Sequence, residues 1–126
     1  MNFVFICMDA GPTKRLIVDH LEQWAIPFID VGMGVQLVDG KLRGGLTVVT
    51  SVAESREAAR KRISFTDAAF ENEYDRNIQI AELNALNATL AVIRWKKFCG
   101  FYHDFQREHF SSYTIDGDVM VNEETL

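Results

Sequence analysis

Residues 3–8 (Phe-Val-Phe-Ile-Cys-Met) are apolar without alternation, and the run stops abruptly at Asp9-Ala10-Gly11-Pro12. A continuous apolar stretch of this length suits a strand covered on both faces, as in a parallel sheet, and places Cys7 in the core. Pro12 fits the first turn of a helix, where its missing N–H has no partner in any case. The opening therefore reads as strand, loop and helix, with Asp9 at the carboxyl end of the strand. In open α/β sheets that end is where ligands bind. The fold class expected is α/β.

At 126 residues the chain is long enough for one domain and too short for two. A net charge of −5 argues against nonspecific nucleic-acid binding and against an anionic membrane surface, because both require basic faces. No apolar stretch approaches a membrane span, and the opening lacks the basic region and cleavage site of a secretory signal. Two cysteines, Cys7 and Cys99, make neither a disulfide framework nor a zinc quartet. A reducing, cytoplasmic setting is the expectation.

Residues 13–24 carry Leu16, Ile17, Leu21 and Trp24 at helical spacing, with Lys14, Arg15, Asp19 and Glu22 available to water. A second apolar run, 28–31, follows Pro27 and ends at Gly32-Met33-Gly34, completing a strand–helix–strand unit. Segments 35–38 and 42–52 flank Asp39-Gly40, a hairpin signal, so the sheet is expected to turn from parallel to antiparallel there. Residues 54–62 are helix-compatible and highly charged, with Arg60-Lys61-Arg62 read as a solvated face. Residues 63–75 read as a long irregular connection.

Residues 76–99 form the strongest helical segment, closed by Gly100. Leu83, Leu86, Leu90 and Ile93 make one apolar stripe, and Ala81, Ala85, Ala88 and Val92 make another. A helix apolar on nearly all sides is expected to be buried. Asn77, Asn84 and Asn87 then need hydrogen-bond partners. A second hairpin is expected from 113–115 and 119–121 around Asp116-Gly117-Asp118.

This order of parts, with Met8-Asp9-Ala10-Gly11-Pro12-Thr13-Lys14-Arg15, the 77–96 helix and Gly100-Phe101-Tyr102, resembles the second half of the ThiF/MoeB/ubiquitin-activating superfamily of adenylyltransferases. The resemblance implies a partial Rossmann-like domain with a mixed parallel and antiparallel sheet and a long buried C-terminal helix. It implies ATP- and magnesium-dependent adenylation of the C-terminal carboxylate of a ubiquitin-like or sulfur-carrier protein. It makes Asp9 the catalytic carboxylate and a Mg2+ ligand, with Lys14 and Arg15 as the nearby cofactor-binding cations. A hard carboxylate oxygen suits magnesium, which is held largely by substrate phosphates.

The chain departs from that family pattern in three ways. Ala10 stands where an asparagine is usual, and the zinc-binding Cys-x-x-Cys pairs are absent, so no structural zinc is expected. The glycine-rich nucleotide loop is missing, since neither Gly32-Met33-Gly34 nor Gly44-Gly45 follows a strand and opens a helix. Residues 1–126 are thus expected to form a single domain that is the carboxyl-terminal half of such an enzyme, inactive alone. The unpaired edge at residues 3–8 leads to the expectation of a homodimer or an obligate partner chain. A noncatalytic dimerisation or scaffold subunit is the alternative function.

Other residues have plainer readings beside the functional ones. Asp9 at a strand end can also cap the following helix. Cys99 lies at a helix C-terminus, where the dipole disfavours a thiolate, and reads as buried or inert. His103 and His109 with Asp104 and Glu108 match no zinc spacing and read as a solvated helix end. Phe101, Tyr102, Phe105 and Phe110 fit either a subunit contact or packing beneath the last hairpin.

Overall fold

The computed structural model describes residues 2–65 and 79–124. Strand β1 (Val4–Ile6) pairs in parallel with β2 (Phe28–Val38), and helix α1 (Pro12–Gln23) connects them, as the strand–helix–strand reading requires. β2 turns through Asp39-Gly40 into β3 (Lys41–Ser51), with both turn residues at positive φ, 51° and 76°. This is the backbone of a type I′ hairpin. Helix α2 (Arg56–Arg62) and helix α3 (Ala81–Phe98) precede the hairpin of β4 (Glu108–Thr114) and β5 (Val119–Glu124). The five strands lie in the order β1-β2-β3-β4-β5, and every pairing after the first is antiparallel. The described residues thus form an α/β fold with a five-stranded mixed sheet and three helices.

Alternation along β2 assigns the two faces. Phe28 and Asp30 point toward α1, where Ile6, Val18, Leu21, Val49, Ala59 and Ile63 complete a core with α2. Ile29, Val31, Met33 and Val35 point to the other face, against Leu83, Leu90 and Ala91 of α3. This corrects the expected break at Gly32-Met33-Gly34, because β2 runs through it without interruption. The apolar pattern stops there only on the α1 face, where positions 32 and 34 carry no side chain.

Helix α3 is not buried all round. Its buried stripe is Leu83, Asn87, Ala91 and Arg94, while Ala85, Ala88, Val92 and Ile93 are exposed. The helix lies on one face of one sheet, and none of the described residues covers its outer side. Asn87 answers the expectation that a buried amide must be partnered, since its Nδ2 donates to the Gly32 carbonyl at 3.0 Å. Asn84 is exposed and bonds Gln79, while Asn77 lies outside the described residues, as does the expected helical segment 76–78.

Both long helices end in the same way. After α3, the Gly100 N–H donates to Lys97 O at 3.0 Å and the Phe101 N–H to Lys96 O at 2.8 Å, with Gly100 at φ 83°. After α1, the Ala25 N–H donates to Glu22 O at 3.1 Å and the Ile26 N–H to Leu21 O at 2.9 Å, with Ala25 at φ 54°. Each is a Schellman cap, but only the second places a Cβ in the left-handed region. No helix among the described residues is long and apolar enough to cross a membrane.

Candidate functional site

Residues 7–11 form the loop between the carboxyl end of β1 and the first turn of α1. Pro12 occupies the first turn as expected, and Gly11 is the N-cap. The Gly11 carbonyl accepts the Arg15 N–H at 3.2 Å. No side chain caps this helix, so Asp9 does not serve as its cap, and its carboxylate stands exposed. Cys7 is also exposed rather than in the core, because β1 ends one residue earlier and has no outer neighbour among the described strands.

The two cations expected beside Asp9 part company. Arg15 is exposed, with its guanidinium carbon 4.5 Å from the centre of the Phe65 ring. Lys14 points inward, and its Nζ lies 2.7 Å from Asp30 Oδ1 with both side chains only 3% exposed. The contact is ion-pair-close and buried on both sides. Burial pushes the Asp30 carboxyl above its ordinary range, and the Lys14 charge opposes that shift only in part. Lys14 is committed to the interior and does not stand with Asp9 at the surface. Asp30 had a visible signal, a lone carboxylate in the apolar run 28–31, but nothing local names its partner.

The free edge of β1 carries an aromatic cluster on the α3 side. Phe3 lies 5.4 Å from Phe5 and 5.5 Å from Phe98 between ring centres, and Phe5 lies 6.0 Å from Trp95. Phe5 and Phe98 are both partly open to solvent. This border has no charge, proline or bulge to discourage pairing with another strand.

A second polar site lies at the opposite end of the β1–β2 pair, where β3 ends. Arg94 is clamped by Asp104, its Nη1 lies 3.0 Å from Glu108 Oε2, and Lys97 Nζ lies 3.0 Å from Glu108 Oε1. A bulge at His109 between the Glu108 and Phe110 pairings locally reshapes β4. These groups line a cavity of about 240 Å3 together with Thr50, Ser55 and Arg107. Burial opposes the Arg94 charge, but Asp104 and Glu108 outweigh it and raise its pKa. The hydrogen bond from Arg94 lowers Asp104. Burial would raise Glu108, but its backbone hydrogen bond, Lys97 and Arg94 together lower it. The structure thus makes Asp104 and Glu108 ion-pair partners of Arg94. No group of three potential metal ligands occurs among the described residues.

The remaining singled-out residues fall as follows. Arg60 pairs with Asp19 and Glu22 of α1, and Arg62 with Glu123, so the expected solvated face joins elements together. Cys99 is an exposed thiol beyond the end of α3. Phe101, Tyr102 and Phe105 are exposed, Phe105 to 88%, whereas Phe110 packs into the α1-side core. No protein-family model matches the sequence, and no match is found among curated proteins.

Proposed function

We propose that this chain supplies the Asp9 edge of a Rossmann-like adenylating domain of the ThiF/MoeB/ubiquitin-activating type. In this reading it acts in the cytoplasm on the C-terminal carboxylate of a ubiquitin-like or sulfur-carrier protein. The carrying observation is the exposed Asp9 just beyond the carboxyl end of a parallel strand whose outer edge is unpaired among the described residues. The accessible Asp9 carboxylate offers the hard oxygen that suits Mg2+, which is usually bound by one or two protein carboxylates and by substrate phosphates. Bound there, the metal would neutralise phosphate charge during attack at the α-phosphorus of ATP. Asp9 would hold the metal, and Arg15 is the accessible cation of the first helical turn. Lys14 enters the reading as an internal residue, not as a phosphate contact.

The sequence contains no glycine-rich phosphate loop, so ATP recognition falls to a counterpart laid along β1 and the Phe5–Phe98 border. The test is ATP–pyrophosphate exchange, measured on the chain alone and on the complex it forms in its native cell. Exchange is expected only in the complex, with a loss of about 100-fold or more on Asp9→Ala. Undiminished exchange by the Asp9→Ala complex, or exchange by the isolated chain, would overturn the reading.

A noncatalytic docking subunit is the second reading, favoured by the exposed aromatics Phe101, Tyr102 and Phe105. It predicts a stable complex with no exchange activity under any condition. Both readings require a homodimer or partner chain, and a well-folded monomer in sedimentation at micromolar concentration would count against both.

A further inference from the structure

Asp30 meets the residues that flank the Asp9 loop on both sides. Its backbone is in parallel register with Ile6, the last residue of β1, immediately before the loop. Its carboxylate meets Lys14, in the first turn of the helix immediately after the loop. One residue thus ties down both ends of segment 7–11. Among the described residues, the segment's other anchors are the Met8 side chain on the α1-side core and the Gly11 carbonyl bonded to the Arg15 N–H, while α1 has no side-chain cap and no acidic residue in its first turn.

The arrangement is a costly one by ordinary helix rules. A cation in the first turn opposes the helix dipole, and burying it adds a desolvation penalty. A pair of apolar residues would fill the same space without either penalty. The Val18 and Leu21 contacts already dock α1 onto the sheet farther along the helix. The pair adds direction at one point, the turn from which the Asp9 loop springs. We propose that Asp30 is a positioning residue for Asp9, acting through Lys14 to hold segment 7–11 in one conformation. This rests on the reading of Asp9 as the working carboxylate.

The test uses the full 126-residue chain and the paired substitution Lys14→Met/Asp30→Leu, which removes the charges and keeps the space filled. Order parameters of the amides of residues 9–11 are expected to fall below about 0.6. The Arg15 amide, bonded to Gly11, is expected to exchange about tenfold faster, while the Val48 and Val49 amides stay within about twofold of the original chain. A loop as ordered as before, or uniform acceleration at all these amides, overturns the proposal. If the variant does not fold, the smaller Lys14→Leu/Asp30→Val pair is measured instead. If neither folds, the ion pair is a requirement of the fold and the proposal falls. Broadening of residues 9–12 by Mn2+ is read separately. Its absence in the unaltered chain counts against the metal role of Asp9 and leaves the exchange data to decide the role of Asp30.

Discussion

The two faces of the sheet bury charge in different ways. On the α1 face, Lys14 and Asp30 form an isolated pair with apolar neighbours and no further described partner. On the α3 face, Arg94 shares its charge with Asp104 and Glu108, and Glu108 with Lys97, around a cavity open to solvent. An isolated buried pair must meet its whole desolvation penalty with one contact, whereas a network spreads it over several hydrogen bonds. The pair should therefore be brittle and the network tolerant.

The largest effect is expected from breaking the pair. Lys14→Met or Asp30→Leu alone should lower unfolding free energy by about 3–5 kcal/mol, because each strands a buried charge. The two together should recover most of the loss. Urea denaturation of the three variants checks this, and additive losses would mean that the residues are not coupled. Arg94→Met should lose less, about 1.5–3 kcal/mol, because Lys97 still serves Glu108.

Acid should separate the faces by sign. Asp104 and Glu108 are depressed in the folded state, so their contribution is present above the unfolded value, about 4, and is lost as pH falls through the folded one. Asp30 is raised, so the folded state holds its proton more tightly, and acidification through its folded pKa favours folding. Arg94→Met should accordingly flatten the stability loss between neutral pH and about pH 3, whereas Lys14→Met/Asp30→Leu should steepen it. Denaturation midpoints at the two pH values decide, and parallel shifts in both variants would erase the distinction. The smallest effect concerns the helix ends: Ala25→Gly should gain about 1 kcal/mol and Gly100→Ala should lose about the same, measured by thermal unfolding.

Local signals were legible where neighbours in sequence do the work. Asp39-Gly40 marked its hairpin because the I′ turn demands positive φ at both positions. Gly100 closed α3 for the same steric reason, and Pro12 opened α1. The parallel-to-antiparallel change followed from a helix-length connection before β2 and a two-residue turn after it. The apolar pattern breaks at Gly32-Met33-Gly34 although β2 continues, because periodicity reports burial and one face of the strand is uncovered beyond Asp30. Helix α3 was expected to be buried because alanines and a valine on its outer side look the same in sequence whether or not another layer packs there.

The candidate site divides along the same line. Its position was readable in residues 3–12, because an uninterrupted apolar run ending in Asp, Gly and Pro constrains strand, loop and helix through purely local sterics. The direction of Lys14 was not readable. Whether a cation in a first helical turn reaches outward to a ligand or inward to a carboxylate depends on a strand that returns sixteen residues later, at Asp30. Charge pairing acts through space, so the sequence alone determined where Asp9 would stand, and only the tertiary structure decided what stands behind it.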